Sequence, residues 1–158
     1  MGQLIINSYE EFEQYVGKEL GTSDYHKVTQ KQINLFADAT LDHQWIHVDT
    51  ERVKTDSPYK ATIAHGYLSV SILPYLWYQI IKVKNVTMLV NYGIENLRFG
   101  LPVVVDSEVR MVTKLKALTN LRGTAKAEVE VTLEIKGSKK NAFKGVIIFL
   151  YQFKKQSS

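Results

Sequence analysis

Apolar and polar positions divide the chain into a helical first half and a second half of period two. Ser8 with Glu11 forms a capping box ahead of Phe12, Tyr15, Val16 and Leu20, and Gly21 is expected to end that helix. Thr29 with Gln32 repeats the device ahead of Ile33, Phe36 and Ala37. Asp49 is expected to cap a short third helix that stops near Pro58. Residues 67–81 read YLSVSILPYLWYQII, apolar nearly all round, which predicts a buried helix that Pro74 bends or deprives of a backbone bond. The run is too short and too broken for a membrane span.

Beyond Val83 the even positions 86 to 94 are apolar, and the parity then changes to Leu97 and Phe99, which predicts a bulge near Glu95 and Asn96. Odd positions from Val103 to Leu115 are mostly apolar. From Ala125 to Ile135 the alternation is complete, with Lys126, Glu128, Glu130, Thr132, Glu134 and Lys136 facing away. Residues 146–153 are apolar on both faces, and Gly137 to Asn141 carries a hairpin signal that pairs the last two strands. Strands with one polar face imply an antiparallel sheet, so the expected class is α+β, with a curved antiparallel sheet wrapped around a long central helix. Residues 1–158 show no linker or repeat and are expected to form one domain.

The absence of cysteine removes disulfides, thiolate metal sites and a Cys nucleophile, and makes the cytoplasm the default location. The opening Met1-Gly2-Gln3-Leu4 lacks a basic segment followed by an apolar core, so no secretory signal is expected. The net charge of +4 is spread along the chain, which argues against a nucleic-acid partner and suits either ordinary solubility or an anionic small molecule.

Asp42, His47, His65 and Gly66 are the candidates for chemistry, because a carboxylate, an imidazole and a glycine amide can together move protons beside a carbonyl. Asp42 and His47 are five residues apart, about 140° around a helix and on opposite faces of a strand. For both to meet one substrate, residues 40–47 must be irregular backbone. Asp42 could instead be a turn residue, His47 a structural histidine and Gly66 a turn glycine. His43 and His47 superficially match a zinc helix, yet Gln44 stands where that mechanism needs a glutamate, so no metal is expected. His65 is expected to orient its loop, and His26 has no evident companion. Trp45, Trp77 and Tyr78 are either walls of an acyl pocket or plain core.

The run from Phe36 to Asp49, then Ile63-Ala64-His65-Gly66, then Leu97-Arg98-Phe99 with Pro102-Val103, resembles the MaoC-like dehydratases, which include the R-specific enoyl-CoA hydratases, the 3-hydroxyacyl-thioester dehydratases and the nodulation protein N group. The resemblance implies a hot-dog fold and a homodimer joined sheet edge to sheet edge. It implies reversible addition of water to the C2=C3 bond of an enoyl thioester carried by coenzyme A or an acyl carrier protein, without cofactor, metal, membrane or nucleic acid. Asp42 and His47 would hold the water, the Gly66 amide would meet the thioester oxygen, and Asn91, Tyr92 and Arg98 would support the site from the sheet. The common Gly-Asp-x-Asn-Pro run of the family reads Leu41-Asp42-His43-Gln44-Trp45 here. A helix serine of some R-specific hydratases falls by spacing on Pro74, and its role does not pass to Ser71. A hot-dog thioesterase and a non-catalytic acyl-binding module are the competing readings.

Overall fold

The computed structural model describes residues 2–155; Met1, cited above for the N-terminal signal, lies outside them. The first capping box forms as read: the Glu11 amide donates to Ser8 Oγ at 3.2 Å, and the Glu11 carboxylate turns back to accept from the Asn7 amide. The helix it opens, α1 (Tyr9–Glu13), is nevertheless short. Leu20 and Gly21 belong to the strand β2 (Glu19–Thr22), not to a helix end, and Leu20 is buried there. Gly21 takes a φ of 142°, open to glycine, and a Cβ would stand 3.2 Å from Ile80.

Thr29 caps α2 (Gln30–Thr40) by accepting from the Gln32 amide, and Leu41 ends it in the left-handed region with φ 63°. A single turn, α3 (Trp45–Val48), and another, α4 (Val53–Asp56), follow. Asp49 is the C-cap of α3 and accepts from the Glu51 and Arg52 amides in the turn that follows, whereas the N-cap of α4 is Arg52, with no side-chain cap, so the expected Asp49 cap is corrected; α4 does stop before Pro58.

The central helix is two helices, α5 (Gly66–Ser71) and α6 (Leu73–Ile80), joined at Ile72. Pro74 sits in the first turn of α6, where a missing N–H has no intrahelical partner to lose. Leu73, Leu76, Trp77 and Ile80 face the core. Tyr67, Tyr75 and Tyr78 are exposed, so the expectation of a helix buried all round is corrected: its outer face is an aromatic stripe. The chain leaves α6 directly into β4 (Ile81–Val83), which pairs in parallel with β1 (Leu4–Ile6).

The large sheet consists of β5 (Val86–Phe99), β6 (Glu108–Leu121), β7 (Thr124–Ile135) and β8 (Phe143–Phe153). Its order is β2-β6-β7-β8-β5, with the short β3 (His26–Lys27) beside β6. The alternation in β6 and β7 comes out as read: Val109, Met111, Leu115, Ala127, Val129 and Leu133 are all buried. Residues 103–107 do not join β6, and Val104 instead bridges Ile63. The bulge in β5 is present, with a register shift between Glu95 and Arg98 and Asn96 at φ 52°. Gly145 allows that bulge, since a Cβ there would stand 2.7 Å from Leu97. The even-numbered apolar residues of β5 do not enter the core: Met88, Val90, Tyr92 and Ile94 are exposed on a strand at the sheet edge.

Beneath the sheet Trp77 is fully buried, stacks on Phe149 with centroids 5.2 Å apart, and donates Nε1–H to the Tyr151 hydroxyl at 2.6 Å. Burial raises the Tyr151 hydroxyl pKa well above its ordinary value, so the ring stays neutral. Trp77 is thus core. Among the described residues no helix is long and apolar enough to cross a membrane.

Candidate active site

The expected irregular stretch is shorter than residues 40–47. The helix α2 continues through Thr40, residues 41–44 turn, and His47 already lies on α3. The left-handed Leu41 and the turn after it swing Asp42 back toward His47, which a continuous helix would forbid. Leu41 itself points to water.

His47 is buried, with 8% of its surface exposed, and its Nδ1–H donates to the Ile63 carbonyl at 2.7 Å. A carbonyl only accepts, so Nε2 carries the lone pair of the neutral ring. Burial, ahead of every other influence, holds the His47 pKa below the ordinary imidazole value, and neighbouring His65 adds to this. The Ile63 carbonyl and Asp42 pull the other way without overcoming burial. Gln30 fixes the turn from behind, donating to the His47 carbonyl at 2.9 Å and accepting from Thr62.

His65 is buried as well, and donates Nε2–H to the Asp42 carbonyl at 3.0 Å. Its ring stacks on His47 with centroids 3.9 Å apart and packs at a tilt on Phe36. Its Nδ1 has no hydrogen-bond partner among the described residues. His65 therefore does orient a loop, as read, but it also forms one wall against the second imidazole. A carboxylate oxygen of Asp42 and one ring nitrogen each of His47 and His65 lie within 4.8 Å of one another.

Gly66 opens α5, so its amide is one of the first-turn donors that a helix leaves without an internal acceptor. Its backbone is helical and needs no glycine for conformation. The demand is steric: a Cβ would stand 2.9 Å from the ring of Phe99. Asp42, His47, His65 and Gly66 all line one cleft of about 430 Å³, which continues between Tyr67, Phe99, Leu101 and Phe143. Tyr59 and buried Ser69 complete its walls.

The other sequence candidates lie elsewhere. His43 is exposed and pairs with Asp38 at 2.9 Å, away from the cleft. His26 does have a companion, Gln32 Oε1 at 2.9 Å. Trp45 packs under the Arg52 guanidinium at 4.3 Å, and Tyr78 is exposed. Asn91 lines a second, apolar cavity between the central helix and β5. Arg98 lines a groove next to the cleft. Of the missed residues, Phe99 was legible in the Leu97-Arg98-Phe99 run, whereas Gln30, Tyr59 and Phe143 carry no local signal of their positions.

A curved antiparallel sheet over a helix that opens on His-Gly, with a buried imidazole and a carboxylate at its mouth, defines a hot-dog dehydratase. Residues 11–137 match the family described as MaoC like domain, and the chain belongs to the MaoC-like dehydratases. It is 46% identical over 127 residues to the 3-hydroxyacyl-thioester dehydratase Z of Mycobacterium tuberculosis, covering 80% of this chain and 83% of that one. It is 40% identical over 141 residues to nodulation protein N of Rhizobium leguminosarum bv. viciae, covering 87% of each. The fold matches that of the R-hydratase of Pseudomonas aeruginosa in its unliganded form, with a TM-score of 0.70 at 17% identity over 89% of this chain and 83% of that one.

Proposed function

We propose that residues 1–158 act as one R-specific enoyl-thioester hydratase and (3R)-hydroxyacyl-thioester dehydratase, with Asp42 and His47 as its catalytic pair. The observation that carries this reading is the convergence of the Asp42 carboxylate and a buried, neutral His47 in the cleft that begins at the Gly66 amide. In the hydration direction, Asp42 and His47 hold a water over C3. His47 Nε2 takes a proton as the oxygen attacks, and charge moves to the thioester oxygen, where the Gly66 amide donates to it. The proton on His47 then goes to C2, so one water is added and the ring is neutral again. Neither cofactor nor metal is part of the scheme. The 46% identity to a protein named for 3-hydroxyacyl-thioester dehydration supports the substrate class.

The test is spectrophotometric. A short enoyl-CoA should lose its ultraviolet absorbance without release of thiol, and Asp42→Asn and His47→Gln should each lower turnover by at least ~10²-fold. Thiol release would replace this reading by a thioesterase. Acyl-CoA binding without turnover at any chain length would replace it by a binding module.

The same proposal makes the enzyme a cytoplasmic homodimer. A chain without cysteine has no disulfide to form in an oxidising compartment. Among the described residues, strand β5 has β8 on one side and no strand on the other, and it presents Met88, Val90, Tyr92 and Ile94 outward. An edge strand of fourteen residues with these apolar side chains exposed invites pairing, and a second copy of the strand satisfies both its backbone and its side chains.

A further inference from the structure

One polar side chain of the cleft takes no part in the proton transfers. Ser69 on α5 is 4% exposed and lines the cleft together with Asp42, His47 and Gly66. A serine hydroxyl inside a helix commonly turns back to the carbonyl four residues earlier. Ser71 does so, donating to the Tyr67 carbonyl at 2.6 Å. Ser69 does not: among the described residues its hydroxyl has no hydrogen-bond partner, and its oxygen is not sealed off, since Nδ1 of His65 is the one side-chain atom there that is both sealed and unpartnered. On a helix, residues three apart share a face, and a side chain leans over the turn before its own Cα. The Ser69 hydroxyl thus lies over the turn that Gly66 opens, beside an amide that has no internal acceptor.

A hydroxyl without a partner costs stability where water reaches it poorly. Phe99, Val103 and Phe143 make the neighbouring walls of the cleft apolar, so a ligand oxygen is the partner that Ser69 is placed to meet. We infer that the Ser69 hydroxyl is a second donor to the thioester oxygen, converging on it with the Gly66 amide, and is therefore a further catalytic residue. Charge that grows on this oxygen as water adds at C3 is shared between one N–H and one O–H, and both bonds strengthen as the charge develops. The serine keeps its proton throughout, and the proton for C2 still comes from His47. The inference rests on the hydratase reading of the cleft and deepens it.

Two readouts on the intact protein test this. In steady-state hydration of crotonyl-CoA, Ser69→Ala should lower kcat by at least ~10-fold with KM changed by less than about threefold, and Ser69→Thr, which keeps the hydroxyl, should recover most of the loss. The second readout needs no turnover: the carbonyl stretch of bound butyryl-CoA, labelled with carbon-13 at the thioester carbon and followed by difference infrared spectroscopy. Ser69→Ala should move this band to higher frequency than in the unsubstituted protein, and Ser69→Thr should leave it in place. An unmoved band in Ser69→Ala overturns the inference whatever happens to turnover, because a serine that only packs can lower rate and melting temperature without touching the carbonyl. So does an unmoved kcat. A band that responds to Ser69 in a protein that hydrates no enoyl thioester keeps the contact and removes the hydratase. A protein that binds no butyryl-CoA removes both.

Discussion

The imidazoles of His47 and His65 lie face to face, 3.9 Å between centroids and 24° from parallel, and each gives one N–H to a backbone carbonyl. Two buried rings so close cannot both become imidazolium cations without strong repulsion, so charge on one opposes charge on the other.

This sets the pH behaviour of the site. Burial first, and His65 after it, hold the His47 pKa below its ordinary value of 6.5. If His47 is the base, as proposed, it is ready at neutral pH, and kcat/KM should stay flat through that range and fall only at more acid pH than an ordinary imidazole would dictate. The stability that goes with a neutral buried His47 is present above the unfolded value of 6.5 and is lost as pH falls through the lower folded value. An acid limb at or above 6.5 in the pH profile would contradict this assignment.

His65→Phe separates the stack from the hydrogen bond. A phenyl ring keeps an aromatic face against His47 and Phe36, but the Asp42 carbonyl loses its donor. Turnover should fall by about tenfold, in line with one lost hydrogen bond, and amide exchange at residues 42–44 should accelerate. The acid limb should also move toward higher pH, because the imidazole that opposes a charge on His47 is gone. A drop in melting temperature with an unmoved pH profile would reduce His65 to packing.

Gly66→Ala places a methyl group against Phe99, whose ring is half exposed and free to give way. The expected cost is therefore modest in stability, ~1 kcal/mol, and larger in function, because the displaced ring moves into the cleft. Phe99→Leu in the same chain should restore much of the lost kcat/KM. Failure of the second change to restore any of it would place the defect in the amide and not in the ring.

Val90→Lys on the free edge of β5 should convert a dimer into a monomer by light scattering, since a buried interface tolerates an unpaired charge badly. An unsubstituted protein that scatters as a monomer at tens of micromolar, on the order of ordinary interface affinities, would exclude the edge-to-edge assembly.

The sheet was legible because β6 and β7 each have one wet face, and period two shows directly where water is on one side only. β5 carries the same period with its apolar side outward: Met88, Val90 and Ile94 have the composition of an interior and are exposed, which period alone does not show. The short β1, β2 and β3 escaped notice since two to four residues carry no period. In the cleft, Asp42, His47, His65 and Gly66 stood out by residue type, and the resemblance to a family gave each its expected role. Their geometry comes from Leu41 in a left-handed turn and from Gln30 behind His47, neither of which any local pattern marks.

The joint at Ile72 divides the labour of the central helix. The six residues before it bear the Gly66 amide and Ser69 on the cleft, and the eight after it bear Leu73, Leu76, Trp77 and Ile80 in the core. Mutational load on the first half will be read as altered turnover, and on the second half as a lower melting point. Variation in what the enzyme accepts can therefore accumulate in one half while the other keeps the molecule folded.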